Sequence, residues 1–265
     1  MPPLRVLDLD PAPLAEVEYL FPGEGGHLEV ASLPVLRGGV EGLPPGVEGL
    51  LFTGDLQGWD GEGRPLGLAL PGVLRDLAAT GAIPPPSATL VFLLGDLVPG
   101  ERRGEGGDAR PVWEAFLGAG YLGVYGVPGN HDGFGPEGPE AFRERAGAGL
   151  LLGEVVEVHG LRLAGLGGLP GRPDRPFRMP EEAYLRALAG LLRARPHLLL
   201  LHEGPDWPQE GFPGHRGVRG LLEGHRYPLL VARGHAPWPR GLIALSPQVQ
   251  VLNAEGRVLL LAPGA

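Results

Sequence analysis

The sequence contains no cysteine and no lysine, so all 22 of its basic residues are arginine. Without cysteine, disulfides, thiolate-held zinc and thiol nucleophiles are excluded, and any metal must be held by histidine, carboxylate or amide oxygen. Only two asparagines and two methionines are present, whereas glycine (47) and proline (31) are abundant. This scarcity of thermolabile residues suits a thermophile, although the same bias is typical of a GC-rich genome.

Long apolar runs and a surplus of positive charge are also missing. The opening stretch MPPLRVLDLDPAP has neither the cationic nor the apolar segment of a secretory signal. No apolar run approaches the ~20 residues that span a bilayer. These features predict a cytoplasmic protein. The formal net charge of −9 argues against bulk binding to nucleic acid or to an anionic membrane surface.

Short apolar runs that end in glycine and polar residues recur along the chain. They are rich in Leu, Val, Phe and Ala without alternation, as is typical of strands buried on both faces. The runs lie at 50–58, 89–97, 122–132, 197–205 and 229–237. Apolar residues at helical spacing lie between them, at 65–81, 108–120, 180–195 and 215–226. Alternating strands and helices predict an α/β fold with a mainly parallel sheet.

The remaining segments predict additional strands. Residues 150–168 indicate an antiparallel hairpin that turns at His159 and Gly160. We expect N-terminal strands within 1–49, at 4–10 and 27–36, and a core at 50–237 that carries the motifs. C-terminal hairpin strands are expected within 238–265, with a turn around Asn253 to Gly256. One parallel sheet does not need so many strands, so a second sheet packed on the first is expected. The prediction is a single domain over residues 1–265.

Ligands of parallel α/β sheets bind beyond the carboxyl ends of the strands. Polar residues stand at this position after each of the five apolar runs: Asp55 and Gln57, Asp96, Asn130 and His131, His202, and His235. Singly, each has a structural explanation. An Asp can cap a helix, an Asn can form a turn, a His can be satisfied at the edge of the core, and a Gln can bind a water. Five such positions in a chain with eight histidines favour a ligand site.

The five motifs occur in a recognisable order: Gly54-Asp55-Leu56-Gln57, Gly95-Asp96, Gly129-Asn130-His131-Asp132, the lone His202, and Gly234-His235. Over residues 50–237 this order resembles the calcineurin-like metallophosphoesterases, most specifically in the Gly-Asn-His-Asp motif. The resemblance implies a four-layer α/β/β/α sandwich of two mixed sheets, with a dinuclear metal centre that hydrolyses phosphate esters. The Asp-Arg-Gly extension of the protein phosphatases is absent after Asp96, which disfavours that role.

The resemblance also implies a role for each motif residue. Asp96 would bridge two metals, and Asn130, His202 and His235 would complete the second metal site. Asp55 would belong to the first metal site, and the catalytic candidate His131 would contact the substrate phosphate or protonate the leaving oxygen. These residue types suit the chemistry. A carboxylate can bridge cations about 3.5–4 Å apart, an Asn oxygen is a neutral ligand, and imidazole suits Mn, Fe or Zn.

Two departures from the family pattern fall on the first metal site. Gln57 and Pro237 stand where the family usually has histidine, so this site keeps Asp55, Asp96 and the Gln57 oxygen. We therefore expect divalent cofactors (Mn, Mg, Fe, Ni or Zn) with one tight site and one weak site. Arg172, Arg175 and Arg178 lie near a loop that could overhang the site, either as a solvated loop or as a phosphate clamp. The candidate substrate-binding residues are Asn130, His131 and Arg172.

Two functions from different classes remain open. The first is metal-dependent hydrolysis of a small phosphomonoester, phosphodiester or nucleotide. The second is a degenerate relative that keeps the fold and one metal but serves as a non-catalytic metal-binding or scaffold protein. The changes at Gln57 and Pro237 motivate the second. His131 and a complete second metal site favour the first, because a scaffold needs neither.

Overall fold

The computed structural model describes residues 2–23, 27–100 and 105–264, apart from the side chain of Arg145. Its strands are β1 (Arg5–Val6), β2 (Ala15–Pro22), β3 (Leu28–Glu41), β4 (Gly49–Thr53), β5 (Thr89–Leu93), β6 (Gly107–Asp108), β7 (Gly123–Gly126), β8 (Asp132–Gly133), β9 (Gly149–Leu150), β10 (Glu154–Val158), β11 (Leu161–Leu166), β12 (Leu169–Pro170), β13 (Arg178–Met179), β14 (Leu198–Leu201), β15 (Leu229–Arg233), β16 (Leu242–Ala244), β17 (Val249–Asn253) and β18 (Val258–Pro263). The helices are α1 (Leu66–Ala79), α2 (Arg110–Gly118), α3 (Gly138–Ala146), α4 (Glu181–Arg193) and α5 (Arg216–Glu223).

Eight strands form a large mixed sheet. Its order is β1-β3-β18-β4-β5-β7-β9, with β2 also paired to β3. Strands β4, β5 and β7 run parallel to one another, so their carboxyl ends lie at one edge. The last strand, β18, lies between β3 and β4, parallel to the first and antiparallel to the second. Strands β4, β5 and β7 follow the parallel order that the sequence predicts, β9 pairs parallel with β7, and β1 and β2 pair antiparallel with β3.

Six strands form a smaller sheet in the order β10-β11-β14-β15-β17-β16. The hairpin predicted at 150–168 is confirmed as the antiparallel pair β10 and β11. His159 and Gly160 form its turn and have positive φ angles of 48° and 84°. Strands β14 and β15 are parallel neighbours, and all of their residues are buried. The five apolar runs are therefore strands, but three belong to the large sheet and two to the small one.

Three hydrophobic clusters lie between the layers of the structure. One lies between the sheets and contains Phe52 and Phe92 of the large sheet with Leu200 and Leu230 of the small sheet. Because successive strand residues face opposite sides, the neighbours of these residues fill the outer clusters. The outer face of the large sheet packs on α1 and α2, and that of the small sheet packs on α4 and α5. The clusters are compatible with the four-layer order that the resemblance implies.

The helices predicted from apolar spacing are confirmed as α1, α2, α4 and α5. Helix α4 has Glu181 and Glu182 in its first turn and Arg193 in its last, which favours the charge distribution of the helix dipole. Helix α3 and strand β2 were not predicted. The segment of α3 is rich in charge and carries little apolar signal, whereas β2 does alternate charged and apolar residues.

The C-terminal segment corrects one prediction. Strands β16 and β17 form an antiparallel pair, so a hairpin is present within 238–265. The final strand, β18, is not part of it, because β18 leaves the small sheet and enters the large one. Local turn signals at 253–256 do not reveal this, since the partners of β18 lie far away in the sequence. Within the described ranges, none of the helices is both long and apolar enough to cross a membrane.

Candidate metal and active site

Residues from both sheets converge at the carboxyl ends of β5, β14 and β15. The nearest side-chain ligand atoms of Asp96, His202 and His235 all lie within 4.8 Å of one another. His202 Nε2 is 3.5 Å from Asp96 Oδ2, and the two imidazole rings have centroids 5.0 Å apart. Asp96 and His202 are buried, while His235 keeps about a third of its side chain exposed (32%). One carboxylate and two imidazoles at this spacing could hold a divalent cation.

Asn130 joins this group from the loop after β7. Its Oδ1 atom lies 3.2 Å from His202 Nε2, and its side chain is buried. The loops that follow β5 and β7 lie close together at Gly95, which has a φ of 87°. A side chain there would place its Cβ 2.3 Å from the amide nitrogen of Gly129. The structure thus brings together all four residues of the predicted second metal site.

Asp55 reaches the group through the backbone of the β15 loop. Its Oδ2 accepts a hydrogen bond of 2.9 Å from the amide of His235. Asp55, Asp96 and His235 have positive φ angles of 54°, 52° and 69°. Such angles strain residues that have a side chain, and this strain tends to collect at functional sites. Neither aspartate caps a helix, because α1 begins after Pro65 and α2 after Ala109.

The two positions that depart from the family pattern make no contact that replaces a ligand. The side chain of Gln57 is partly buried and forms no hydrogen bond to any residue that the structure describes. Pro237 is exposed and follows Ala236, whose carbonyl oxygen accepts hydrogen bonds from Arg233 and Asn253. Gln57 therefore lies near Asp55 in sequence without being fixed in place by a side-chain partner.

His131 lies on the wall of an adjoining cleft of about 990 Å³. Its backbone amide donates to Asp96 Oδ1 at 2.8 Å, which places the residue beside the cluster, while its side chain is partly buried. Arg172, the third candidate for substrate binding, lines the same cleft and pairs with Asp174 at 2.7 Å. The structure thus places His131 and Arg172 on one cavity.

Asp132 is a functional candidate that the sequence reasoning missed. Its buried carboxylate accepts backbone hydrogen bonds from Asp96, Leu97 and Gly129, at 2.9, 2.9 and 2.8 Å. These bonds tie the loop of Asp96 to the loop of Asn130. The signal was available, because Asp132 is the last residue of the Gly-Asn-His-Asp motif.

Arg233 is a second missed residue. This fully buried arginine ends β15 and donates from Nη1 to the carbonyl of Ala236 at 2.6 Å. Its Nη2 lies 3.6 Å from Glu203 Oε1, the residue after His202. Neither Nη2 nor Glu203 Oε1 forms a hydrogen bond within the described chain. The pair of Arg233 and Glu203 connects the ends of the two strands that precede His202 and His235. The sequence signal for Arg233 was an arginine inside an apolar run.

The buried charges act strongly on one another. Burial opposes protonation of His202, but the carboxylates of Asp96 and Asp55 outweigh it and raise the pKa of His202 to about 9. Burial, together with the neighbouring His202, lowers the pKa of His235 to about 4. Burial also favours neutral Asp96, yet His202 and the His131 amide hold the pKa of Asp96 below its usual value. In the metal-free protein, His202 and Asp96 thus form a charged pair.

Burial raises the pKa of the two other carboxyl groups. The pKa of Asp55 lies well above its usual value, because burial adds to repulsion from Asp96. Burial and the charge of Asp96 likewise raise the pKa of Asp132 to about 6, against its backbone hydrogen bonds. Three carboxyl groups close together favour a bound cation, which would offset their repulsion.

Solved structures that resemble parts of this chain come from several organisms. Sulfate thiohydrolase SoxB of Thermus thermophilus is 17% identical with a TM-score of 0.42, over 83% of this chain and 58% of that one. NAD nucleotidase of Haemophilus influenzae is 16% identical with a TM-score of 0.41, over 82% and 45%. The 5'-nucleotidase of Candida albicans is 12% identical with a TM-score of 0.43, over 77% and 44%. This chain therefore spans about half the length of these proteins.

Sequence comparison gives the family directly. A search of curated proteins finds no significant match. The profile of the calcineurin-like phosphoesterases matches residues 50–239, which is well over half of the chain and includes every motif residue described above. The chain belongs to the calcineurin-like phosphoesterase family.

Proposed function

We propose that this protein hydrolyses a small phosphate ester with the help of divalent metal ions. One observation carries the proposal: Asp96, Asn130, His202 and His235 come from two sheets and converge beside a cleft lined by His131. Helix capping does not explain the aspartates, and buried charges are costly unless they are paired with one another or bound to a metal. Family membership points to the same reaction class.

The residues fit a metal by the chemistry of their donor atoms. His202 Nδ1 is engaged with the Leu94 carbonyl at 2.7 Å, which leaves Nε2 facing Asp96 and Asn130. Mixed imidazole and oxygen ligands suit Mn, Fe, Ni or Zn. We propose that Asp96, Asn130, His202 and His235 hold the tight ion. The first metal site would have Asp55, Asp96 and the oxygen of Gln57, an all-oxygen set that suits Mg or Mn and binds weakly.

Bound ions at these positions would polarise the phosphate oxygens and activate water for attack on phosphorus. Asp96 would stay ionised and hold both ions, because its pKa is low even without them. His131 lines the cleft without being part of the ligand cluster, so it is placed to contact the phosphate or to donate a proton to the leaving oxygen. Asn130 lines the same cleft and could orient the substrate.

The departures at the first metal site support a second candidate function. Gln57 has no side-chain partner among described residues, and Pro237 offers no ligand atom. A chain that holds only one ion could serve as a metal-binding or scaffold protein. His131 and its cleft favour the enzyme, because a one-metal scaffold would need neither.

We also propose that the partner is a small phosphorylated molecule. The net charge of −9 disfavours bulk binding to nucleic acid or an anionic membrane. Assays with monoesters, diesters and nucleotides distinguish among these three classes of substrate. A cytoplasmic location stays a prediction from the sequence.

A panel of phosphomonoesters and phosphodiesters, assayed with Mn, Mg, Ni or Zn, tests the proposal together with metal analysis. We expect metal-dependent release of phosphate or of the leaving alcohol. Asp96→Asn should abolish hydrolysis and lower the bound metal while the circular dichroism spectrum is unchanged. Asp76→Asn, an exposed change on α1, is the matched control and should leave both unaffected. An Asp96→Asn variant with unchanged metal content would overturn the assignment, and no turnover with any metal would favour the scaffold.

A further inference from the structure

A loop rich in arginine faces His131 across the cleft. This arginine loop, residues 169–179, begins with β12, ends with β13 and carries Arg172, Arg175 and Arg178. Its two ends pair as parallel strands, with Leu169 opposite Arg178. The amide of Leu169 donates to the carbonyl of Phe177 at 2.9 Å, and that of Gly171 to Met179 at 2.8 Å. The loop is therefore folded back on itself rather than extended into solvent.

The arginine loop is attached to the Asn130 loop. The amide of Gly168 donates to the carbonyl of Pro128 at 2.8 Å, two residues before Asn130. A side chain at Gly168 would place its Cβ 1.9 Å from the carbonyl oxygen of Phe177, so only glycine allows this approach. Phe177 also packs edge-on against Phe134, with ring centroids 5.8 Å apart. The metal-proximal wall and the arginine loop thus form one cleft with fixed sides.

The charges in this cleft are unevenly neutralised. Arg172 pairs with Asp174, and Asp108 on the opposite wall pairs with Arg110 at 2.6 Å. Arg175 and Arg178 line the same cleft, and neither forms an ion pair with any residue in the described ranges. Two guanidinium groups that have no carboxylate partner among the described residues therefore face a cavity that adjoins the candidate metal ligands.

Arg178 lines the same cleft as Asn130, one of the candidate metal ligands. A cleft of about 990 Å³ is also far larger than a single phosphate group requires. The arginine loop can therefore contact a part of the substrate that extends beyond the phosphate at the centre.

We propose that Arg178, assisted by Arg175, binds a second anionic group on the substrate. The preferred substrate is then a phosphate ester whose leaving group carries a further carboxylate or phosphate. This inference rests on the proposed function. Guanidinium groups bind both anions through paired, charge-assisted hydrogen bonds, which gives the site a direction as well as affinity. Arg178 is a specificity residue and takes no part in bond cleavage.

Binding of two matched phosphonates to the full chain with Mn²⁺ tests the inference without turnover, since their C–P bonds are not hydrolysed. The probes are phenylphosphonate and 4-carboxyphenylphosphonate, measured by calorimetry. We expect the carboxylated probe to bind about 10- to 100-fold more tightly, the scale of charge-assisted hydrogen bonds. Arg178→Gln with Arg175→Gln should remove this preference, because it weakens binding of the carboxylated probe far more than binding of phenylphosphonate. Arg178→Lys should keep part of the preference, and Arg75→Gln on the exposed face of α1 is the control.

Hydrolysis of phenyl phosphate and 4-carboxyphenyl phosphate separates this inference from the proposed function. Discrimination between the phosphonates without turnover of either ester would support the arginine loop and overturn the hydrolase. Turnover of both esters with equal kcat/KM and equal phosphonate affinities would overturn the inference alone. A preference that persists in the double arginine variant, or a wild-type chain that binds neither phosphonate, would overturn it as well.

Discussion

The imidazole Nδ1 of His202 lies 2.7 Å from the backbone carbonyl oxygen of Leu94. His202 follows β14 of the small sheet, and Leu94 follows β5 of the large sheet, so this hydrogen bond joins the two sheets at the site. Because it occupies Nδ1, the other ring nitrogen faces Asp96 and Asn130. One contact therefore joins the two sheets at the site and leaves Nε2 of His202 free to act as a ligand.

The first prediction concerns the proton that this ring carries. A pKa of about 9 means that His202 is protonated at neutral pH in the metal-free protein. A ligand imidazole must lose that proton, so we expect Mn²⁺ binding to release about one proton per ion near neutral pH. Apparent affinity should fall as the pH is lowered from about 9. Calorimetric titrations in buffers with different heats of ionisation measure the release, and an affinity independent of pH would contradict it.

The second prediction concerns Asp132, which accepts three backbone hydrogen bonds. Asp132→Asn has only one oxygen to accept them, so at least one buried amide loses its partner. We expect a loss of about 1–3 kcal/mol in the free energy of unfolding, together with weaker metal binding, because the Asp96 and Asn130 loops separate. Urea denaturation and metal titration measure the two effects. Asp8→Asn, an exposed carboxylate that accepts one backbone bond, should change neither.

His131 should affect rate rather than metal content. Its side chain lines the cleft and lies outside the group of close ligand atoms. We expect His131→Ala to lower kcat by about 10²–10⁴-fold, the scale of general acid catalysis or of a charge-stabilising contact, with metal retained. His27→Ala, which changes an exposed histidine far from His131 in sequence, is the control. Metal loss in His131→Ala would mean that His131 is a ligand.

The last prediction compares the two metal sites. At the proposed first metal site, Gln57 and Pro237 stand where the family pattern has two histidines. The purified protein should therefore hold one ion firmly and take up a second only in excess Mn²⁺ or Mg²⁺. Activity should keep rising after the tight site is full. Gln57→His with Pro237→His should tighten the weak site, as measured by equilibrium dialysis. Two equally tight ions in the unaltered protein would show that another residue supplies the missing ligand.

The sequence by itself determined the five apolar strands, the hairpin of β10 and β11, four of the five described α-helices and the residue types at the site. Runs such as Leu198–Leu201 are apolar at every position, which marks a strand buried on both faces wherever it pairs. The turn at His159 and Gly160 is equally local, because two adjacent runs and a short connection specify a hairpin. The candidate site residues could also be predicted from local sequence, because each motif follows an apolar strand.

Only the tertiary structure decided how these pieces meet. A run buried on both faces does not encode its neighbour, so pairing alone placed β4, β5 and β7 in one sheet, β14 and β15 in another, and β18 between β3 and β4. The same holds for the contact of Asp132 with the Asp96 loop and for that of Arg233 with Glu203, which join segments far apart in sequence. Hydrogen bonds between distant loops leave little trace in local sequence pattern, whereas burial and strand formation do, because they depend on each residue's own side chain.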